Sequence, residues 1–526
     1  MKKKSKSDNT LLRGAAWLTL STILLKIIGL IYKLPLSYIL GDEGMGYFNS
    51  AYTVYIFFYI IGTAGIPKAI SVLVSKSEAE QEGSGYAVFK TAFLFFFALG
   101  VVLLMIFYFS ATAFAKVIGN QKSVMAMYSI APSILFVCAG GVIRGYLSGR
   151  MKFAPIAISE LLSSVFKLGI GLLLARVAAD AGKSLPIVSA YTIFGITIGS
   201  FVSLIYLAFV YVRNTQKTIV ASQPPRKTIG DILKIAIPIT LASAIGSIVN
   251  ILDLTLVMNG LESSGFDSSI ANVLYGNYTT LAVPMLSLVS TLISPITTAL
   301  LPLLASTLAA DNRRAREHKV HLTTSFKFTS FITVPAFVCF SFFSKELLSI
   351  IFEEGSAVLG APFLVALAPG VLVIGALMVV NTMLEATGKQ SIALLSLLSG
   401  TIVKLILTVY LMHRTDLGIL CAPIGTTASY LISYCISMIY ANRALDIRTS
   451  VLRSMSLPFI ASVIATPIAY MSTKYLTLAT SARLCGVACA LVFSTFYLAS
   501  LLVLSSDARK YLLKCVKINK KRTNDL

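Results

Sequence analysis

Residues 131–175 read APSILFVCAGGVIRGYLSGRMKFAPIAISELLSSVFKLGIGLLLA, and residues 368–412 read APGVLVIGALMVVNTMLEATGKQSIALLSLLSGTIVKLILTVYLM. Laid on one another at an offset of 237 with no gap, they agree at twelve of 45 positions. Apolar runs match by chance, but lysines inside them do not. Here Lys152 falls on Lys389 and Lys167 on Lys404, while Ala131 and Pro132 fall on Ala368 and Pro369, and Ser159 on Ser396. The stretch is therefore one copy of an internal repeat made of long apolar segments.

Outward from it, apolar runs of about 20 residues, the length of a helix that crosses a hydrocarbon core, occur fourteen times. They cover approximately 15–40, 50–74, 88–110, 124–147, 154–175, 187–212, 232–258, 278–309, 323–343, 362–384, 391–411, 418–440, 455–473 and 483–504. Uniformly apolar runs exclude a membrane β-barrel, whose strands alternate. The chain is predicted to be an all-α polytopic membrane protein. Its composition agrees: of 526 residues, 56% are hydrophobic and only 13% charged, far from a soluble domain. The first run follows a basic start but is too long for a signal peptide and holds Lys26 and Lys33, so it reads as a retained span.

Six spans recur as six spans, which predicts two parallel lobes related by an axis along the membrane normal. The lobes are 1–225 and 226–450, joined through RNTQKTIVASQPPRKTIGD at 213–231, and 451–526 adds two spans and a basic tail. The formal charge of +22 is distributed by side. With the amino terminus cytoplasmic, inner segments hold 29 of the 44 Lys and Arg and outer loops 8. The outer loops GDEGMGYFN, 41–49, and NGLESSGFDSSIAN, 259–272, hold none. The rule that basic residues stay inside then places both termini in the cytoplasm. The tail RKYLLKCVKINKKR is suited to anionic lipid headgroups. Nucleic acid is not an expected partner.

Seven cysteines, six of them in apolar stretches, give no disulfide framework. His318, His321 and His413 fall in predicted loops, and no zinc spacing, phosphate loop or nucleophile elbow is present. No enzyme and no cofactor is expected. Transport driven by Na+, H+, membrane potential or substrate consumption remains.

A charge inside a span is costly unless it is paired or faces a polar cavity. The basic set is Lys26, Lys33, Lys68, Arg144, Lys167, Lys327 and Lys404; the acids are Glu160 and Asp253, with Glu385 at a helix end. This excess favours an anionic substrate, while snorkelling to headgroups is the plainer role for residues near span ends. Lys26 and Lys33 share a helix face, as do Glu160 and Lys167, each pair about 10.5 Å apart along the axis. Asp253, with Asn250 beside it, is the candidate for cation or proton coupling. Tyr52, Tyr55 and Tyr59 share a face suited to helix packing or to stacking on sugars.

The segments LLRGAAWLTLSTILLKIIGLIYKLPLSYILGDEGMGYF, GTAGIPKAISVLVSK, RGYLSGRMKFAPIAISELLSSVFKL and LEATGKQSIALLSLLSGTIVKLILTVYL resemble the stage V sporulation protein B group of polysaccharide-biosynthesis flippases. That group belongs to the multidrug, oligosaccharidyl-lipid and polysaccharide exporter superfamily, and the resemblance covers essentially the whole chain. It implies a MATE-like pair of lobes around a cavity that alternates its access, with a groove for a polyprenyl tail on the last two spans. It implies a polyprenyl-diphosphate-linked glycan as substrate, a bacterial cytoplasmic membrane as location, and wall-synthesis enzymes as neighbours. Cavity-facing basic residues of the family match Lys26, Lys33 and Lys68, and its seventh-span acid matches Asp253. Lysine stands where the family often has arginine, which retains charge attraction without the bidentate fork. Two other functions fit the same features: cation-coupled drug export, which would prefer cavity carboxylates, and a scaffold that recruits wall enzymes without transport.

Overall fold

In hydrocarbon every backbone N–H and C=O must find a partner within its own segment, so the apolar runs can be satisfied only as helices. The computed structural model describes residue 29 and residues 35–80, 85–214, 225–308, 315–415, 417–445, 451–476 and 481–504. Helix α1 spans 35–63. It is followed by α2 (Ile66–Glu80), α3 (Gly85–Ile118), α4 (Val124–Ile130), α5 (Pro132–Gly149), α6 (Phe153–Asp180), α7 (Leu185–Asn214), α8 (Pro225–Ser263) and α9 (Ser268–Asn277). Then come α10 (Val283–Leu308), α11 (Ala315–Phe342), α12 (Ser344–Ile351), α13 (Glu354–Ala386), α14 (Gln390–Arg414), α15 (Cys421–Leu445), α16 (Val451–Leu476) and α17 (Ala482–Leu504). Among the described residues there are 13 stretches long and apolar enough to cross a membrane. Most of the expected first span, 15–40, lies outside the described residues.

The chain divides into two compact units, one through Gly276 and one from Asn277. In the first, α6 pairs with α7, α5 packs on α2, α3 and α7, and α8 lies against α2 and α3. In the second, α14 pairs with α15, α13 packs on α10, α11 and α15, and α16 and α17 cover α11 and α12. The repeat marks sequence kinship and the units mark which helices touch, so the two divisions answer different questions.

The repeat is written into the backbone. Arg150, Met151 and Lys152 donate their N–H groups to the carbonyls of Tyr146, Ser148 and Leu147 at 3.2, 2.9 and 2.8 Å. At the same offset of 237, Thr387, Gly388 and Lys389 donate to Met383, Glu385 and Leu384 at 3.1, 3.0 and 2.8 Å. Met151 and Gly388 both take left-handed backbone, with φ of 57° and 74°. Ser159 and Ser396, fully buried, each bond the carbonyl three residues back, at 2.7 and 2.8 Å.

Three local features differ from the sequence reading. Residues 41–49, expected as a loop, are helical, and only Gly41 departs from helical backbone, with φ 61°. Tyr47 and Met45 are buried there, which holds the segment in a helix. The run 50–74 is broken at Ala64 and Gly65, where Pro67 has no N–H to continue the ladder and Gly65 meets the Ala236 carbonyl of α8. The histidines expected in loops lie in helices, His318 and His321 in α11 and His413 in the last turn of α14. These helices run beyond their apolar cores.

Segments assigned to one membrane side meet one another. On the expected outer side, Gly46 abuts Asn272 and Gly276 abuts Asp42, Ser189 donates to the Gly44 carbonyl at 2.8 Å, and Asn259 donates to Val117 at 3.0 Å. On the expected inner side, Ser75 donates to Gly149 at 2.8 Å. In the second unit, Ser349 bonds Ala482 at 3.2 Å, two outer segments again.

Candidate functional site

In the first unit three of the intramembrane charges, Arg144, Glu160 and Lys167, lie on neighbouring helices α5 and α6. Helix α5 reaches α2 and the end of α1 through Gly141, Gly145 and Gly149. A Cβ on each would lie 2.8 Å from the carbonyl oxygens of Gly62, Pro67 and Ser71 respectively. Small residues at intervals of four let two backbones approach this closely. The spacing was readable in GVIRGYLSG as a packing signal, but it was not singled out from the sequence.

This seam positions Arg144, which lies between two of those glycines. Its Nη2 donates to Ser203 Oγ on α7 at 3.1 Å, and its buried Nε has no hydrogen-bond partner among the described residues. Tyr59 of α1 stands within electrostatic reach of both Arg144 and Glu160. Glu160 and Lys167, half-buried, lie two turns apart on α6. The Lys167 ammonium sits 5.4 Å from the centroid of the Tyr52 ring, a cation–π distance that contributes about 0.5–2 kcal/mol depending on desolvation. Where Lys167 leaves its helix, Gly199 of α7 fits against it, a Cβ there meeting Lys167 Cβ at 3.3 Å.

The tyrosines form a ladder along α1. Ring centroids of Tyr52 and Tyr55 are 6.1 Å apart and those of Tyr55 and Tyr59 5.8 Å. Tyr55 is buried, so it packs, while Tyr52 and Tyr59 are half-buried and reach the charged groups. The structure thus brings together Arg144, Glu160, Lys167, Tyr52, Tyr59 and Ser203 from four helices. The group holds two cations and one carboxylate, a balance suited to an anionic group flanked by aromatic faces.

The other sequence candidates fall elsewhere. Lys68 is exposed at the start of α2. Asp253 is half-buried on α8, and Asn250, one turn before it, is exposed, so these two make a separate locus. Lys26 and Lys33 lie outside the described residues. Among the described residues no group of three or more His, Cys, Asp or Glu is disposed to hold a metal ion.

Comparison with known proteins agrees with this architecture. The family model "Polysaccharide biosynthesis protein" matches residues 11–308, and the model "MatE" matches 279–410. The chain is 25% identical over 458 residues to "Lipid II flippase MurJ" of Bacillus subtilis (strain 168), covering 81% of this chain and 82% of that protein. It is 21% identical over 489 residues to "Stage V sporulation protein B" of the same organism, covering 90% and 92%. The solved structure "Lipid II flippase MurJ, inward closed conformation" superposes with a TM-score of 0.68 at 17% identity, covering 92% of this chain and 97% of that one. Those relatives whose names state an activity are flippases or transporters, not enzymes. With its family model matching more than half of its length, its all-helical membrane fold and its duplicated six-span pattern, the chain belongs to the polysaccharide biosynthesis protein family of the multidrug, oligosaccharidyl-lipid and polysaccharide exporter superfamily.

Proposed function

We propose that this protein is a flippase that carries an undecaprenyl-diphosphate-linked glycan, lipid II or a related wall or spore-cortex precursor, across the bacterial cytoplasmic membrane by alternating access. The observation that carries the reading is the composition of the first-unit cluster: Arg144 and Lys167 with tyrosine faces and a single acid, Glu160. A diphosphate crossing hydrocarbon needs cationic partners, because even lenient insertion scales put the cost of one centrally placed charge at about 2.5–3.5 kcal/mol. A carrier of cationic drugs needs the opposite balance. Lys26, Lys33 and Lys68 belong to the same reading as further phosphate contacts along the route. Asp253 with Asn250 is its coupling element toward Na+ or H+. Both termini are cytoplasmic in this reading, from the basic asymmetry of the loops.

The test is rescue of a flippase-deficient strain by this chain, with lipid-linked precursors identified by mass spectrometry. Rescue with disappearance of the accumulated precursor is the expected result. Growth restored without any change in precursor pools indicates a scaffold, and export of cationic dyes without rescue indicates a drug transporter.

A further inference from the structure

The second unit contains a polar cluster built around the repeat partner of Lys167. That partner is Lys404, half-buried on α14 and the single Lys, Arg, Asp or Glu between Gln390 and Met412. The resemblance extends to its packing. As Gly199 fits against Lys167, Gly425 of α15 fits against Lys404, where a Cβ would meet the Lys404 carbonyl at 3.2 Å and its Cγ at 3.4 Å. The glycine lets α15 close on the lysine stem.

The two copies differ in charge. Glu160 precedes Lys167 by two turns, whereas the matching position before Lys404 is Leu397. A tyrosine lies near Lys404 as Tyr52 lies near Lys167: the Tyr430 phenol is within electrostatic reach of Lys404 and of Tyr278. Tyr430 is held against Gly370 of α13, with a Cβ there 3.5 Å from its ring. Tyr278 is fixed by an edge-on contact with Phe363 at 6.1 Å and by Thr426 Oγ1 at 3.3 Å. Thr426 itself donates to the Ala422 carbonyl at 2.9 Å.

Tyr278 begins a five-residue π-helical turn, Tyr278–Ala282. The cause is in the sequence: Pro284 has no N–H for the Thr280 carbonyl and its ring crowds the preceding turn. A π-turn rotates the residues before it relative to a regular helix, and here it brings Tyr278 to α15. The result is an ammonium and phenols on three elements of one unit, a set rich in donors.

We infer that Lys404 and Tyr430 form a second phosphate-binding position, in the second unit, for the anionic headgroup of the transported lipid, with Tyr278 and Thr426 as positioning residues. This rests on the reading of the substrate as a lipid diphosphate. Each unit then holds its own lysine with tyrosine nearby, and the second copy carries Leu397 where the first carries Glu160.

The experiment is native mass spectrometry of the purified full-length protein with undecaprenyl diphosphate, and separately with phosphatidylglycerol, for wild type, Lys404→Gln, Lys404→Arg, Tyr430→Phe and Lys167→Gln. Expected are retention by wild type, a loss of roughly fivefold in Lys404→Gln, corresponding to one charge-assisted hydrogen bond, near wild-type retention in Lys404→Arg, and an intermediate loss in Tyr430→Phe. Phosphatidylglycerol adducts should be unchanged throughout. Tyr430→Phe removes one oxygen and keeps the inference testable should Lys404→Gln fail to fold. Undiminished diphosphate retention in Tyr430→Phe and in folded Lys404→Gln, with Lys167→Gln weakened, overturns the inference alone. Parallel loss of phosphatidylglycerol also overturns it, since Lys404 then meets any lipid headgroup. Absence of diphosphate retention by wild type overturns both the inference and the substrate reading.

Discussion

Asn120 donates its side-chain amide to Asn272 Oδ1 at 2.6 Å, joining the turn before α4 to α9 across 152 positions of sequence. The same amide reaches Ser50 Oγ of α1 at 2.8 Å, and both asparagines are almost fully buried. Removing Asn120 takes this donor from the buried Asn272 Oδ1 and from Ser50, at about 1–3 kcal/mol. Asn120→Ala should therefore lower the thermal midpoint of the purified protein measurably, and Asn272→Ala should add little on top of it. Additive losses in the double variant would mean that the two residues act separately.

Met151 and Gly388 share one left-handed turn, but only glycine adopts that backbone without a Cβ penalty, about 1–2 kcal/mol for other residues. Met151→Gly should raise stability or leave it unchanged, whereas Gly388→Met should lower it by about that amount. Thermal unfolding in one detergent for both variants checks the opposite signs.

Gly145 admits no side chain without displacing α2, since its Cβ would meet the Pro67 carbonyl and Ile70 Cβ at 2.8 and 2.9 Å. Gly145→Leu should abolish recovery of monodisperse protein, and Gly145→Ala should give a partial loss, of about 1–3 kcal/mol for overpacking. Gly169, with nothing within 4 Å of its Cβ position, supplies the control: Gly169→Ala should be recovered normally.

The orientation is checked by labelling single cysteines in a cysteine-free background. Ser264 and Met151 are both exposed, on turns assigned to opposite sides. Ser264→Cys should react with an impermeant reagent on intact cells, and Met151→Cys only after lysis. The reverse pattern would invert the topology.

Much of this architecture was legible because hydropathy records the membrane directly. The span order, the repeat and the grouping of loops by side follow from residues such as Lys152, Lys389 and the base-free stretch 259–272. Local backbone was less legible. Nothing in GDEGMGYFN distinguishes a loop from a helix until Tyr47 and Met45 have a surface to bury against. The π-turn arises from Pro284 acting on residues before it, and proline inside a span announces a bend without its form. At the candidate site, Glu160 and Lys167 were visible as charges on one face, but Tyr52 and Ser203 became partners only through packing between distant segments. The Gly141, Gly145, Gly149 spacing was visible and reads as small apolar filler until the opposing carbonyls are known.

That glycine seam bears on how a carrier could work. Where bare α-carbons of α5 rest on carbonyl oxygens of the facing segment, α5 offers no side chain at those three positions whose rotamer change could let one helix slip along the other. Ser71 and Ser148, 3.1 Å apart across it, add a directional tie. Helices α2 and α5 consequently travel as one stiff plank. In the proposed transport cycle the hinge then falls outside this pair, and Arg144 keeps a constant distance from the helix that bears Lys68.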